Sequence, residues 1–213
     1  MVAALFVERD GAYYGIENVD PWPIERDART YDGPHPVVAH PPCDRWNLLS
    51  AVNHKRWGYG IDDAADEGRF EFALAAVRRW SGVLEHPAET RAFKRYRIPE
   101  PVSGAGGWQL TIDGDWVTEV NQAAYGHRAR KRTWLLYHGE TPPPALDWRD
   151  VHGSHRVGFG FPADTDRPLP RIKQKEALAT PAAFRDLLIS IARHAGLKSA
   201  SGTLNTNGES KNG

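Results

Sequence analysis

An α/β fold is what this sequence predicts: a doubly wound, mostly parallel sheet with an antiparallel hairpin and a C-terminal helix. Three observations carry the prediction. Two short apolar runs, PVVA at 36–39 and GVLEHP at 82–87, each meet proline at their ends, and helical apolar spacing lies between them, the layout of a βαβ unit. The segment WQLTIDGDWVTEV at 108–120 alternates by twos around Asp113-Gly114, a hairpin signature. Thr180 and Pro181 open a last stretch of helical period.

In chain order, AALFV at 3–7 reads as a buried first strand, broken by Gly11 and Gly15. The strand PVVA is ended by Pro41 and Pro42, since proline donates no ladder hydrogen bond and biases its predecessor toward extended geometry. Asp62 or Asp63 is the expected cap of a helix with apolar positions Phe72, Ala73, Ala76, Val77 and Trp80, stopped at Gly82. RTWLLYHG at 132–139 is a further strand; the stretch from TPPPALDW to about residue 170 reads as loop, with GFGF a candidate edge pairing. Phe184, Leu187, Leu188 and Ile191 form the apolar stripe of the last helix, which Gly196 stops. Residues 1–197 are expected to make one α/β domain and 198–213 a disordered tail of Ser, Asn, Gly and Lys.

Lys plus Arg and Asp plus Glu both number 27, so the whole chain exerts no general attraction on phosphate. Any nucleic-acid contact is local, and GHRARKRTW at 126–134 is the basic candidate, against the simpler reading of a solvated turn. No apolar run approaches a membrane span and no secretory pattern is visible, so a cytoplasmic protein is expected. One cysteine excludes an internal disulfide. The Walker loop, the Gly-x-Ser-x-Gly elbow and the His-Glu-x-x-His pattern are all missing.

Cys43 begins the loop just past one strand end, and Glu85 stands near the end of the next. Ligands of open α/β sheets bind outside the carboxyl ends of the strands, so a nucleophile and an acid are expected on one rim. The plainer alternatives are a small buried hydrophobe for Cys43 and an ion-pair partner for Glu85. His40, Cys43, His86 and His127 lack a tight ligand pair of the Cys-x-x-Cys type, and no metal site is assigned.

Three segments in order, VVAHPPC, VLEHP and QAAYGHRARKRTWLL, resemble the Pro-Cys, Glu-Asn-Val or Glu-Asn-Pro, and later Gln/Arg-bearing motifs of the cytosine-C5 DNA methyltransferases. Compact phage-type proteins with PPC, EHP and YGH-K-TWL motifs are similar as well. IERDARTYDGPHPVVAHPPC is similar to that family's Gly-Asp-Ile strand running into its Pro-Cys strand, and GIENVDPW resembles its acidic motif. The resemblance spans roughly residues 5–139 and implies a truncated Rossmann-like methyltransferase fold, a DNA-modifying enzyme and S-adenosyl-L-methionine as cofactor.

By that resemblance, Cys43 is the nucleophile that adds to C6 of a pyrimidine taken out of the stack. Glu85 binds N3 and the exocyclic amine through a carboxyl that is protonated or readily protonated. Pro42, His40, Arg45, His86, Gln122, His127, Arg128, Arg130 and Lys131 are the implied substrate-side residues, and Asp27, Asp20 and Glu17 the cofactor-side ones. The chain departs from the family where ALFVERDGAYYG stands in place of a Gly-rich turn and helix, where His86 stands for asparagine, and where only about 70 residues follow 139 for target recognition. Two rival readings follow: a catalytically degenerate nucleic-acid-binding protein of the same fold, and an enzyme acting on free pyrimidine nucleotides.

Overall fold

The computed structural model describes residues 1–46, 66–157 and 169–197. Seven strands form one mixed sheet: β1 (Val2–Leu5), β2 (Val19–Trp22), β3 (Val37–Ala39), β4 (Gly82–Pro87), β5 (Gln109–Leu110), β6 (Trp116–Asn121) and β7 (Arg132–His138). The helices are α1 (Arg69–Trp80), α2 (Arg91–Arg95), α3 (Gln174–Leu178) and α4 (Ala182–Ala195), joined by 3₁₀ turns at Ile24–Arg26, Ala28–Thr30 and Gln122–Tyr125.

The strand order is β2-β1-β3-β4-β7-β6-β5. The first four run parallel, with Leu5 opposite Ala39 and Ala39 opposite Leu84. The other three are antiparallel to their neighbours, with Glu85 opposite Leu135 and Thr118 opposite Leu135 on the far side. The chain reverses its direction of travel at β1, since β2 lies on one side of that strand and β3 on the other.

Period-two alternation divides the sheet between two cores. Ala3, Leu5, Val37, Ala39, Leu84 and Leu136 face α1. Val2, Ala4, Val38, Val83, Leu135 and Tyr137 face α4. All four residues of β1 are fully buried, as a strand covered on both faces requires. Helix α4 turns Phe184, Leu188, Ile191 and Ala192 inward, and each of the first three contributes roughly 1.5–3 kcal/mol by leaving water.

The βαβ unit, the hairpin, β7 and the C-terminal helix lie where the sequence places them. The hairpin turns through Gly114, at φ 85°, with the Gly114 N–H on the Thr111 carbonyl. The expected helix starts at Arg69: Gly68 is its N-cap, and the Asp66 carboxylate accepts from the Phe70 N–H at 2.8 Å. Asp62, Asp63, the GFGF segment and the expected tail lie outside the described residues. The sequence reading omits β2, α2 and α3. Residues 6–18 cross from β1 to its parallel neighbour β2 without a helix, as the short spacing of that segment requires.

At the joint between α1 and β4, Gly82 has φ 140°, and a Cβ there would stand 2.0 Å from the Val37 carbonyl oxygen. This joint sets β4 against β3 in the register that carries Glu85 toward the β3 rim.

Candidate functional site

The carboxyl ends of β1, β3 and β4 surround a cleft of about 320 Å³. Its wall includes Tyr13 from the β1–β2 connection, His40, Pro42 and Cys43 from the β3 loop, Glu85 from β4, and Lys131 just before β7. Leu178–Thr180, ahead of α4, close the α4 side. The crevice thus falls where β1 parts from β3, the place a ligand occupies in an open α/β sheet whose strand order reverses.

His40 continues β3: its N–H donates to the Leu5 carbonyl at 3.1 Å, and the two prolines that follow end the ladder. Its ring stands at the middle of a buried chain of polar groups. Nδ1 lies 2.9 Å from Glu85 Oε2 and Nε2 lies 2.7 Å from the Tyr13 hydroxyl. Gln122 Nε2 donates to Glu85 Oε1 at 3.2 Å and to Thr133 Oγ1 at 2.9 Å. An ionised carboxylate only accepts, so Nδ1 is the hydrogen-bearing nitrogen toward Glu85.

Burial alone pushes the Glu85 carboxyl up, but the His40 hydrogen bond, with the electrostatic influence of His40, Lys131 and His86, outweighs it and holds Glu85 below the usual carboxylate value. The resting carboxyl is therefore ionised, whereas the resemblance implies one protonated or easily protonated. Burial pushes the Cys43 thiol up, the Glu85 carboxylate adds to that, and Lys131 opposes both, leaving the thiol above its usual value. Burial likewise raises the Tyr13 hydroxyl well above its usual value. The cleft at rest holds a protonated sulfur beside an anionic carboxylate.

The structure brings Cys43, Glu85, His40, Pro42 and Lys131 together on one wall and sets Gln122 directly behind Glu85. The other expected substrate residues stand elsewhere. His86 points to the opposite face of the sheet, edge-on to Phe70 with ring centroids 5.2 Å apart. Neither of its ring nitrogens finds a hydrogen-bond partner of normal geometry, although a backbone group of Pro42 lies near enough to favour the proton weakly, and burial pulls the ring down to about 4. His127 Nδ1 is 2.7 Å from the Ala129 carbonyl, within its own buried turn, and its burial also lowers it. Arg128 is tied to Glu176, Arg130 to Asp150, and Arg45 to the adjacent Asp44. Among the described residues, no three His, Cys, Asp or Glu side chains converge as a metal set.

A second cleft of about 210 Å³ shares Phe6, Val7 and Pro42 with the first and is lined also by Asp27 and Arg29. Of the cofactor-side residues, Asp27 binds the Arg29 guanidinium at 2.8 and 2.9 Å. Asp20 is held by Arg26 and by the Trp22 indole N–H. Glu17 is exposed and accepts from Asn18 at 3.3 Å. Three carboxylates fixed on separate neighbours make no common ribose- or adenine-binding set, and the 6–18 connection presents no helix N-terminus to an anion. Among the described residues, these carboxylates do not form a set that fits S-adenosyl-L-methionine.

Tyr13 and Thr133 belong to the polar chain, and sequence reasoning missed both. Tyr13 left a trace in the tyrosine pair after the first strand; Thr133 left none beyond its place in β7. No family model matches the chain, and no curated protein matches it. Among the described residues no helix is long and apolar enough to cross a membrane.

Proposed function

We propose that the chain is an enzyme that modifies a pyrimidine base by covalent addition of Cys43, the chemistry of the cytosine-C5 methyltransferases that its PPC and EHP motifs resemble. The observation that carries this reading is that Cys43, in the loop after β3, and Glu85, on β4, line one crevice outside the carboxyl ends of a parallel sheet half. A strand order that reverses at β1, with α1 and α4 on opposite faces, supports the Rossmann-like version of the fold that the same motifs imply. In this reading the sulfur adds to C6, Glu85 holds the N3 edge, Gln122 fixes Glu85, and Lys131 supplies the positive charge beside them. The reading stops at the covalent adduct, because Asp27, Asp20 and Glu17 are each fixed on separate neighbours and form no shared donor-binding set.

Addition at C6 makes C5 reactive toward a proton as well as toward a carbon electrophile. The test therefore needs no donor: cytosine- or uracil-containing substrates are incubated with the protein in D₂O, and deuterium at C5 is read by mass spectrometry. The wild-type chain is expected to exchange the C5 hydrogen and Cys43→Ser to lose at least about 100-fold in rate, the scale of a lost nucleophile. Failure of the wild type on every pyrimidine sinks the covalent reading and leaves a catalytically degenerate nucleic-acid-binding protein.

A free pyrimidine nucleotide is the second reading, and the basic stretch favours it over duplex DNA. Arg128, Arg130 and Arg132 are each neutralised by acidic partners, Arg132 by both Glu119 and Glu89. Lys131 is the basic side chain in the cleft wall, and about 320 Å³ lies at the small end of ligand pockets, which run from about 300 to 1,000 Å³. Exchange on a nucleoside monophosphate matching or exceeding that on an oligonucleotide supports it.

A further inference from the structure

Two titratable side chains of the crevice, Tyr13 and His40, have no part in the addition proposed above. Tyr13 is 3% exposed and the His40 side chain 14%. The hydrogen bonds that end on Glu85 all point one way. Its Oε1 accepts from Gln122 and its Oε2 from His40 Nδ1, because an ionised carboxylate has no hydrogen to offer. A neutral imidazole carries a single ring hydrogen. With that hydrogen on Nδ1, Nε2 is an acceptor, and the Tyr13 hydroxyl 2.7 Å away is its donor. The two rings are inclined at 55° with centroids 5.4 Å apart, so the contact is made by the hydroxyl rather than by stacked faces.

The segment that carries Tyr13 is itself held on both sides. Arg185 of α4 donates to the Ala12 carbonyl at 3.0 Å, and the Tyr14 N–H donates to the Gly11 carbonyl at 3.1 Å. His40 is fixed at its backbone by the Leu5 carbonyl, which leaves rotation of the ring as the freedom that its two nitrogen contacts remove.

We propose that Tyr13 is a positioning residue that sets His40 against Glu85: its hydroxyl donates to Nε2, commits the ring's one hydrogen to the carboxylate, and stops the ring from turning. Which nitrogen of a histidine carries the hydrogen is set by the bond that the other nitrogen makes. Without the phenol O–H, Nε2 is a buried acceptor with no donor, a costly state that the ring relieves by turning or by moving its hydrogen to Nε2. Either change takes the donor off Glu85, whose low value depends on it. The effect on activity rests on the covalent reading; the placement of the hydrogen belongs to the resting protein and does not.

Glu85 is also faced by Lys131 from just before β7 and by His86 of its own strand, and Tyr13 is faced by Glu85 and, from α4, by Arg185 and Asp186. Tyr13→Phe removes one oxygen and leaves all of these groups in place.

The experiment compares wild type and Tyr13→Phe as full chains. Nitrogen NMR reads the His40 ring, assigned with His40→Gln; carbon NMR follows the Glu85 carboxyl against pH, assigned with Glu85→Gln; C5 exchange is measured alongside. In the wild type Nδ1 is expected to carry the hydrogen and Nε2 none. In Tyr13→Phe the two ring-nitrogen signals are expected to move toward each other, and the Glu85 carboxyl to titrate at higher pH. C5 exchange is expected to fall about 10–100-fold, the scale on which losing a group that orients a functional imidazole acts. Ring signals and a carboxyl titration that superimpose on the wild type overturn the inference whatever the exchange assay gives, and so does undiminished exchange beside an active wild type. Shifted signals with no exchange by the wild type on any pyrimidine leave the role of Tyr13 standing and remove the covalent reading. Should Tyr13→Phe fail to fold, as judged by its thermal melt, the wild type decides alone: a bare Nε2 supports the inference and a hydrogen on Nε2 overturns it.

Discussion

Glu85 and His86 are neighbours on β4 and face opposite sides of the sheet. Glu85 meets polar partners on both oxygens, whereas His86 is 1% exposed among aromatic rings with neither nitrogen paired at normal geometry. Burial is the dominant cause that lowers His86 to about 4, against an unfolded value near 6.5. Between those two values the unfolded chain takes up a proton that the folded chain refuses. Stability is therefore lost as pH falls from about 6.5 to about 4, by up to roughly 3 kcal/mol. His86→Leu, similar in volume and free of orphaned nitrogens, is expected to flatten that part of the curve, read as urea midpoints at several pH values. Cys43 and Glu85 were legible as candidates because the prolines beside them mark strand ends. His40's role was not, because its partner lies 45 residues along the chain and hydrogen bonds at that separation leave no pattern in sequence.

Elements were legible in proportion to their length and burial. Helices α1 and α4 present apolar stripes over several turns, and β3, β4 and β7 are apolar runs with clear stops. By contrast, β2 is VDPW, half-buried throughout and interrupted by proline, which an edge strand tolerates and a pattern reading rejects. Helices α2 and α3 have five residues each, too few to complete two turns of apolar period. The α1–β4 joint was visible only as a helix-stopping glycine; the positive φ of Gly82 and its contact with Val37 explain why that residue is required. Gly82→Ala is expected to destabilise by about 3 kcal/mol or more, since the Cβ meets backbone that cannot swing aside. Chemical denaturation checks this, and a midpoint within error of wild type contradicts the account.

At the scale of the molecule, the parallel half of the sheet was legible from the βαβ layout, but the strand order was not. Local alternation announces β5, β6 and β7, yet nothing in it says that β7 inserts between β4 and β6. One buried cluster joins the hairpin side to the helical layer: Asp115, 1% exposed, accepts from Arg78 of α1 at 2.6 and 3.0 Å and lies 2.9 Å from Nδ1 of His138 on β7. Burial pushes Asp115 up, but His138 and Arg78 outweigh it and hold the carboxyl below its usual value. The stability it supplies is thus present above about pH 4, the unfolded value, and is lost as pH falls through the folded one. Asp115→Asn is expected to cost about 1–3 kcal/mol at neutral pH, with the variant and wild-type urea curves converging in acid.

Because β7 pairs with both β4 and β6, a ribosome that has released the chain only as far as β6 holds a polypeptide with open strand edges, one of them on the strand that bears Glu85. Elongation at about 5–20 residues per second keeps those edges bare for seconds, long enough for two nascent chains on one messenger to pair. The arrival of Arg132–His138 ends this exposure and brings Lys131 into place beside Glu85, whereas the candidate crevice gains its last wall only when Leu178–Thr180 follow.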